Sequence, residues 1–167
     1  MTLEFRAYTD EDYNEVMALE LRPIELREGW AATGMDPMVI LALSLSLSNP
    51  ENRWVVTYRE RICGVFGMTL FEEGEMGVPW FVSNEIPFAS YANRGIFLRS
   101  SRDLTRLMQS RCQYMTNIVS LENTKSIKWL RWLGFTIDET NTFKFDRDPS
   151  LHFCYLWLDC GKGGEKE

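Results

Sequence analysis

The sequence predicts a single mixed α/β domain, on three observations. At 167 residues and 45% apolar composition, the chain is of a size to build one hydrophobic core. Runs with the two-residue period of strands alternate along it with runs of helical period. No internal repeat, linker or low-complexity stretch divides residues 1–160, which are expected to form the domain, with 161–167 as a flexible C-terminal tail.

The elements follow in order. Leu3 to Tyr8 alternates apolar and polar side chains as a half-buried strand does. Thr9-Asp10-Glu11-Asp12 supplies a cap residue and first-turn carboxylates, so a helix is expected from Asp10 with Tyr13, Val16, Met17 and Leu21 on its apolar side. Pro23 interrupts that pattern and opens a second helical piece ending near Gly34. Asp36-Pro37 reads as a cap followed by a proline at the first helical position. Leu43 to Ser48 has a strand period, but the cap before it and its length favour a helix.

Asn49-Pro50-Glu51-Asn52 breaks the chain direction, and Trp54–Tyr58 and Ile62–Phe71 read as a hairpin about the charged turn Arg59-Glu60-Arg61. A further strand is expected around Val78–Val82, after the turn from Gly74 to Gly77. Ile96 to Cys112 is helical in pattern, with Phe97, Leu104, Leu107 and Met108 on one side and Arg99, Arg102 and Arg106 on the other. Tyr114–Leu121 is strand-like, Glu122–Leu133 helical, and Phe135–Ile137 and Leu151–Leu158 strand-like.

Composition excludes several classes of function. A net charge of −6 argues against a general nucleic-acid binder, which needs a basic surface to displace counterions from phosphates. The four cysteines form no Cys-x-x-Cys pair, and His152 is the only histidine, which argues against a zinc site or a disulfide framework. The N-terminal residues lack the apolar stretch of a signal peptide, and the longest apolar-rich run, Met38–Leu47, is too short to span a bilayer. A cytoplasmic protein is expected.

The most specific segment is Asn123 to Phe135, NTKSIKWLRWLGF, directly after a strand-like run. Asn123 can cap the helix or turn toward a ligand, Gly134 can take the left-handed conformation that ends it, and Phe135 can re-enter the core. This segment, with the element order, resembles the Gcn5-related N-acetyltransferase (GNAT) superfamily. The resemblance implies the acyl-CoA N-acyltransferase fold: a mixed, mostly antiparallel central sheet flanked by helices. Within the superfamily, Gly34-Met35-Asp36-Pro37, Gly64-Val65-Phe66-Gly67, Gly77-Val78-Pro79-Trp80 and the Trp-Leu-Arg-Trp-Leu-Gly-Phe helix end resemble acetyltransferase-like or internal virion proteins of short-tailed phages.

The resemblance implies acetyl-CoA as cofactor and an amine, on a small molecule or a protein, as acceptor. The family cradles the pyrophosphate on a glycine-rich loop between its fourth strand and long helix. Here that stretch, Asn84 to Ile96, retains one glycine, so Arg94 and Gly95 at a helix start are the candidate cofactor contacts, together with Asn123. Glu85, at the end of the fourth strand, is the candidate base for the acceptor amine, with Glu72 and Glu73 as weaker choices. Leu130 stands where relatives often place a tyrosine acid, and leucine has no proton to give. Two functions follow: an acetyltransferase with an open V-shaped cleft between strands four and five, or a protein that kept the fold without the chemistry. The second would serve phage particle assembly, in the virion or the host cytoplasm, or bind a host protein, and could fill that cleft with Trp80 or Phe88.

Overall fold

A computed structural model describes residues 2–161. The elements are β1 (Leu3–Ala7), a 3-10 turn at Asp10–Asp12, α1 (Tyr13–Met17), α2 (Pro23–Thr33), α3 (Pro37–Leu47), β2 (Arg53–Tyr58), β3 (Arg61–Phe71), β4 (Met76–Ser83), α4 (Tyr91–Gln109), β5 (Tyr114–Ser120), α5 (Thr124–Leu133), β6 (Thr136–Ile137) and β7 (Phe153–Asp159). The fold class is the expected one. Of the tail expected over 161–167, residues 162–167 lie outside the described residues.

Local chemistry sets the boundaries. The Asp12 carboxylate turns back to accept the Thr9 amide at 2.9 Å, and both its oxygens take Arg6 guanidinium bonds at 2.8 Å, pinning the end of β1 to the first turn. Pro23 occupies the first turn of α2. Gly34 ends that helix at φ +67, and a Cβ there would lie 2.4 Å from Arg147 Nε. Asp36 Oδ1 accepts the Met38 amide at 2.9 Å to start α3. The stretch with two possible periods is therefore helical, burying Leu41 and Leu45.

Two expectations change. The long helix starts at Tyr91, five residues before the apolar pattern begins, because the Ser90 hydroxyl caps it by accepting the Asn93 amide at 3.1 Å. Arg94 and Gly95 therefore lie inside α4 rather than at its start. Leu107 is 41% exposed, because it sits at the margin of the stripe that Phe97, Leu104 and Met108 bury.

The seven strands run in the order β1-β2-β3-β4-β5-β7-β6. All neighbours are antiparallel except β4 and β5, which run parallel and pair only at Met76 with Tyr114 and Gly77 with Met115. Beyond those two pairs the strands part. On one face, α4 and α5 cover a core of Phe66, Met68, Phe97, Met108 and Met115. On the other, α1 and α3 cover Val55, Ile62 and Val65, and Ala31 of α2 packs with Leu151 and Phe153. No single helix among the described residues is long and apolar enough to cross a membrane.

Candidate functional site

The parting of β4 and β5 opens a cavity of about 250 Å³ that reaches both faces of the sheet. On the α4/α5 face it is lined by Phe81, Val119, Trp129 and Leu130; on the other, by Trp80, Ile118 and the α2 residues Glu25, Glu28 and Ala32. Asn117 bridges the gap, its side-chain amide donating to the Pro79 carbonyl at 2.7 Å. Where a continuous ladder would use backbone amides, one side chain holds the two strands at a fixed separation.

A second cavity of about 300 Å³ lies between α4 and α5 and shares Arg22, Phe81, Ser126 and Trp129 with the first. Its mouth carries Arg94, Lys125 and Lys128, with Arg22 behind them and no carboxylate among its lining residues. In a chain of net charge −6 this is a local reversal of sign that suits an anion. Aromatic rings form its floor: Trp129 stands 5.6 Å from Phe81 and 5.3 Å from Phe97, centroid to centroid, and its indole nitrogen donates to Ser101 Oγ at 3.1 Å. At the rim, the Arg102 guanidinium lies 3.8 Å over the Trp132 ring.

Across the mouth of the split, α2 places two glutamates one turn apart. Glu25 serves the β4 side: Oε2 accepts the amides of Ser83 at 3.3 Å and Arg22 at 3.2 Å, while Oε1 accepts two Arg22 guanidinium bonds at 3.2 and 2.9 Å. Its side chain is 7% exposed and that of Arg22 6%. Glu28 serves the β5 side, taking the Ser120 amide on Oε2 and the Asn123 side-chain amide on Oε1, both at 2.8 Å. Burial pushes both carboxyls above the usual carboxylate range; the Arg22 guanidinium opposes this at Glu25, whereas at Glu28 the opposition comes first from the Ser120 amide and Asn123.

The residues singled out from the sequence are distributed as follows. Arg94 lines the basic mouth, where it lies 4.4 Å over the Tyr91 ring. Gly95 lies one residue further into the helix, and a Cβ there would meet only Arg99 Nη1, at 3.5 Å. Asn123 lines the cleft and caps α5, its Oδ1 accepting the Ser126 amide at 3.4 Å. Glu85 is exposed at the start of a 3-10 turn and lines neither cavity. Leu130 lines the cleft. Trp80 sits on the α1/α3 face with its indole nitrogen donating to Ser48 Oγ at 2.9 Å, and Phe88 packs on Phe97; the cleft stays open between them. Sequence reasoning missed Arg22, Glu25 and Glu28, because charged residues on a short helix read as its solvated face.

The fold has counterparts among solved structures. Spermidine N-acetyltransferase from Vibrio cholerae, in complex with CoA and spermine, superposes with a TM-score of 0.64 at 14% identity over 96% of each chain. The ribosomal-protein-S18-alanine N-acetyltransferase from Escherichia coli gives 0.66 at 9% identity over 99% of this chain and 98% of that one. A GCN5-related N-acetyltransferase from Kribbella flavida gives 0.62 at 14% identity over 94% and 97%. The chain thus has the GNAT, or acyl-CoA N-acyltransferase, fold. No protein family matches by sequence, and no curated protein does. The similarity to phage proteins finds no support in these comparisons.

Proposed function

We propose that the chain is an N-acetyltransferase that takes acetyl-CoA through the mouth between α4 and α5, with the reacting end in the split between β4 and β5. The observation that carries this is a basic mouth that shares Arg22, Phe81, Ser126 and Trp129 with a cleft lined from both faces of the sheet. A long anionic thioester can lie in one cavity while its reacting end faces an acceptor entering from the α2 side. Fold alone does not establish chemistry, but here the fold comes with a passage that connects the two faces.

The cofactor's phosphates are held differently from the glycine-loop arrangement. The first turn of α4 gives its Asn93 amide to Ser90, and the Asn93 side chain donates back to the Ile86 carbonyl at 3.2 Å. Arg94, Lys125 and Lys128 therefore supply the charge as side chains, and Arg94 is the member of this set that the sequence pointed to. Gly95 lies beside Arg94 on the same turn of α4, and Asn123 acts on the cleft through Glu28. Bound acetyl-CoA supplies an acyl carbonyl that is electrophilic toward an amine. With Leu130 at the acid position, the departing sulfur receives no proton from that side chain.

The test is calorimetric titration of acetyl-CoA into the protein and into Arg94→Ala. Micromolar binding that weakens in the variant supports the proposal; no heat at millimolar ligand with an unchanged melting temperature overturns it.

A further inference from the structure

Glu25 and Glu28 differ in how far their acceptor capacity is used. A carboxylate offers about four acceptor positions. Glu25 fills them with two amides and two guanidinium bonds, and its charge is balanced by Arg22. Among the described residues Glu28 accepts two bonds, both from neutral donors, and forms no ion pair, the Arg22 charge acting on it at longer range. Of the two carboxylates lining the cleft it is the one with positions left open and no guanidinium bonded to it. Around it the α2 side of the cleft is apolar, formed by Ala32, Trp80, Ile118 and Phe153.

We infer that the α2 end of the cleft binds a primary amine with a single positive charge on an apolar body, and that Glu28 receives its proton. This rests on the acetyl-transfer reading and specifies its acceptor. The geometry fits one ammonium and not two, because the second carboxylate, Glu25, is already spent on Arg22, and an additional cation would approach that guanidinium. In the proton step, an N–H bond of the ammonium breaks with its electron pair left on nitrogen, and an O–H bond forms on Glu28. The nitrogen then bonds the acyl carbon as the carbon–sulfur bond breaks, and the second proton leaves with the sulfur. Asn123 and the Ser120 amide hold the carboxylate in place, and burial keeps its proton affinity above that of an exposed glutamate, in the direction a proton acceptor needs.

The probes are hexylamine, spermidine and acetyl-CoA, titrated separately into the protein and into Glu28→Gln, with the amines measured both with and without CoA present. Hexylamine is expected to bind the protein and to bind Glu28→Gln about ten-fold more weakly or worse, the loss of a charged hydrogen bond. Spermidine is expected to bind no more tightly than hexylamine, and acetyl-CoA to bind both proteins alike. Equal hexylamine binding by both proteins, or a clear preference for spermidine, overturns the inference. Absence of acetyl-CoA binding alone overturns the acetyl-transfer reading, while the amine titrations without CoA still decide this one. A second measurement needs no variant: hexylamine affinity is expected to fall as the solution is acidified and the Glu28 carboxyl, raised by burial, takes up a proton while the amine keeps its charge. Affinity that stays constant down to strongly acidic solution, with the protein still folded, contradicts it.

Discussion

Glu28 Oε1 accepts the side-chain amide of Asn123 at 2.8 Å, joining helix α2 to the turn that follows β5. One turn earlier, Glu25 joins the same helix to the end of β4 through the Ser83 amide. A helix on one face of the sheet thus grips both strands where they have separated, and two carboxylates add to the Asn117 bond that spans the cleft.

Glu25→Ala is expected to destabilise the protein by about 3–5 kcal/mol, because it leaves the Arg22 guanidinium buried without its partner. Denaturant unfolding measures this. A loss below about 1 kcal/mol would show that Arg22 finds solvent or another acceptor.

Lys125→Ala and Lys128→Ala are each expected to weaken acetyl-CoA binding about three- to ten-fold, with a shallower salt dependence than the unmodified protein. Gly95→Ala, by contrast, should leave binding unchanged and stabilise α4 by about 0.5–1 kcal/mol, since nothing lies closer than 3.5 Å to the added methyl and the position is helical. Titration of the three variants at two salt concentrations checks the binding expectations, and denaturant unfolding of Gly95→Ala checks the stability gain.

Gly67 on β3 faces Trp80 on β4, and a Cβ there would stand 2.3 Å from the indole carbon Cζ2. Gly67→Ala is expected to cost about 1–3 kcal/mol and to shift the Trp80 fluorescence, because the ring must leave its bond to Ser48. Unchanged emission together with unchanged stability would contradict this packing.

The bonds from Arg6 hold the Asp12 carboxyl below the usual carboxylate range, with the Thr9 amide acting in the same direction against burial. Asp12 therefore binds fewer protons folded than unfolded. The stability this contributes is present above the ordinary aspartate value and is lost as pH falls through the lowered one. Asp12→Asn should flatten the acid limb of the stability curve and leave the neutral region lower; unfolding measured from about pH 2 to 7 reads this out.

Much of the fold is legible in residues that punctuate it. Gly134 closes α5 at φ +105, Phe135 returns to the core at 6% exposure, and Asp36-Pro37 starts α3 as its residue types dictate. The start of α4 was hidden because Tyr91 to Gly95 carries no apolar period; Ser90 sets it by one hydrogen bond. The site was less legible for a similar reason. Asn123 and Arg94 stood out through their place in a motif, whereas Glu25 and Glu28 owe their burial to strands 58 and 92 residues further along the chain. No local pattern distinguishes a glutamate that faces water from one that faces a split sheet formed later.

The central claim is that the passage from the α4/α5 mouth into the β4–β5 split holds acetyl-CoA. Its most direct test is nuclear magnetic resonance of the amide-labelled protein during acetyl-CoA titration. The account predicts saturable shifts confined to Arg94, Lys125, Lys128, Trp129 and the parted segments of β4 and β5. Shifts absent at millimolar ligand, or clustered away from those residues, would contradict it.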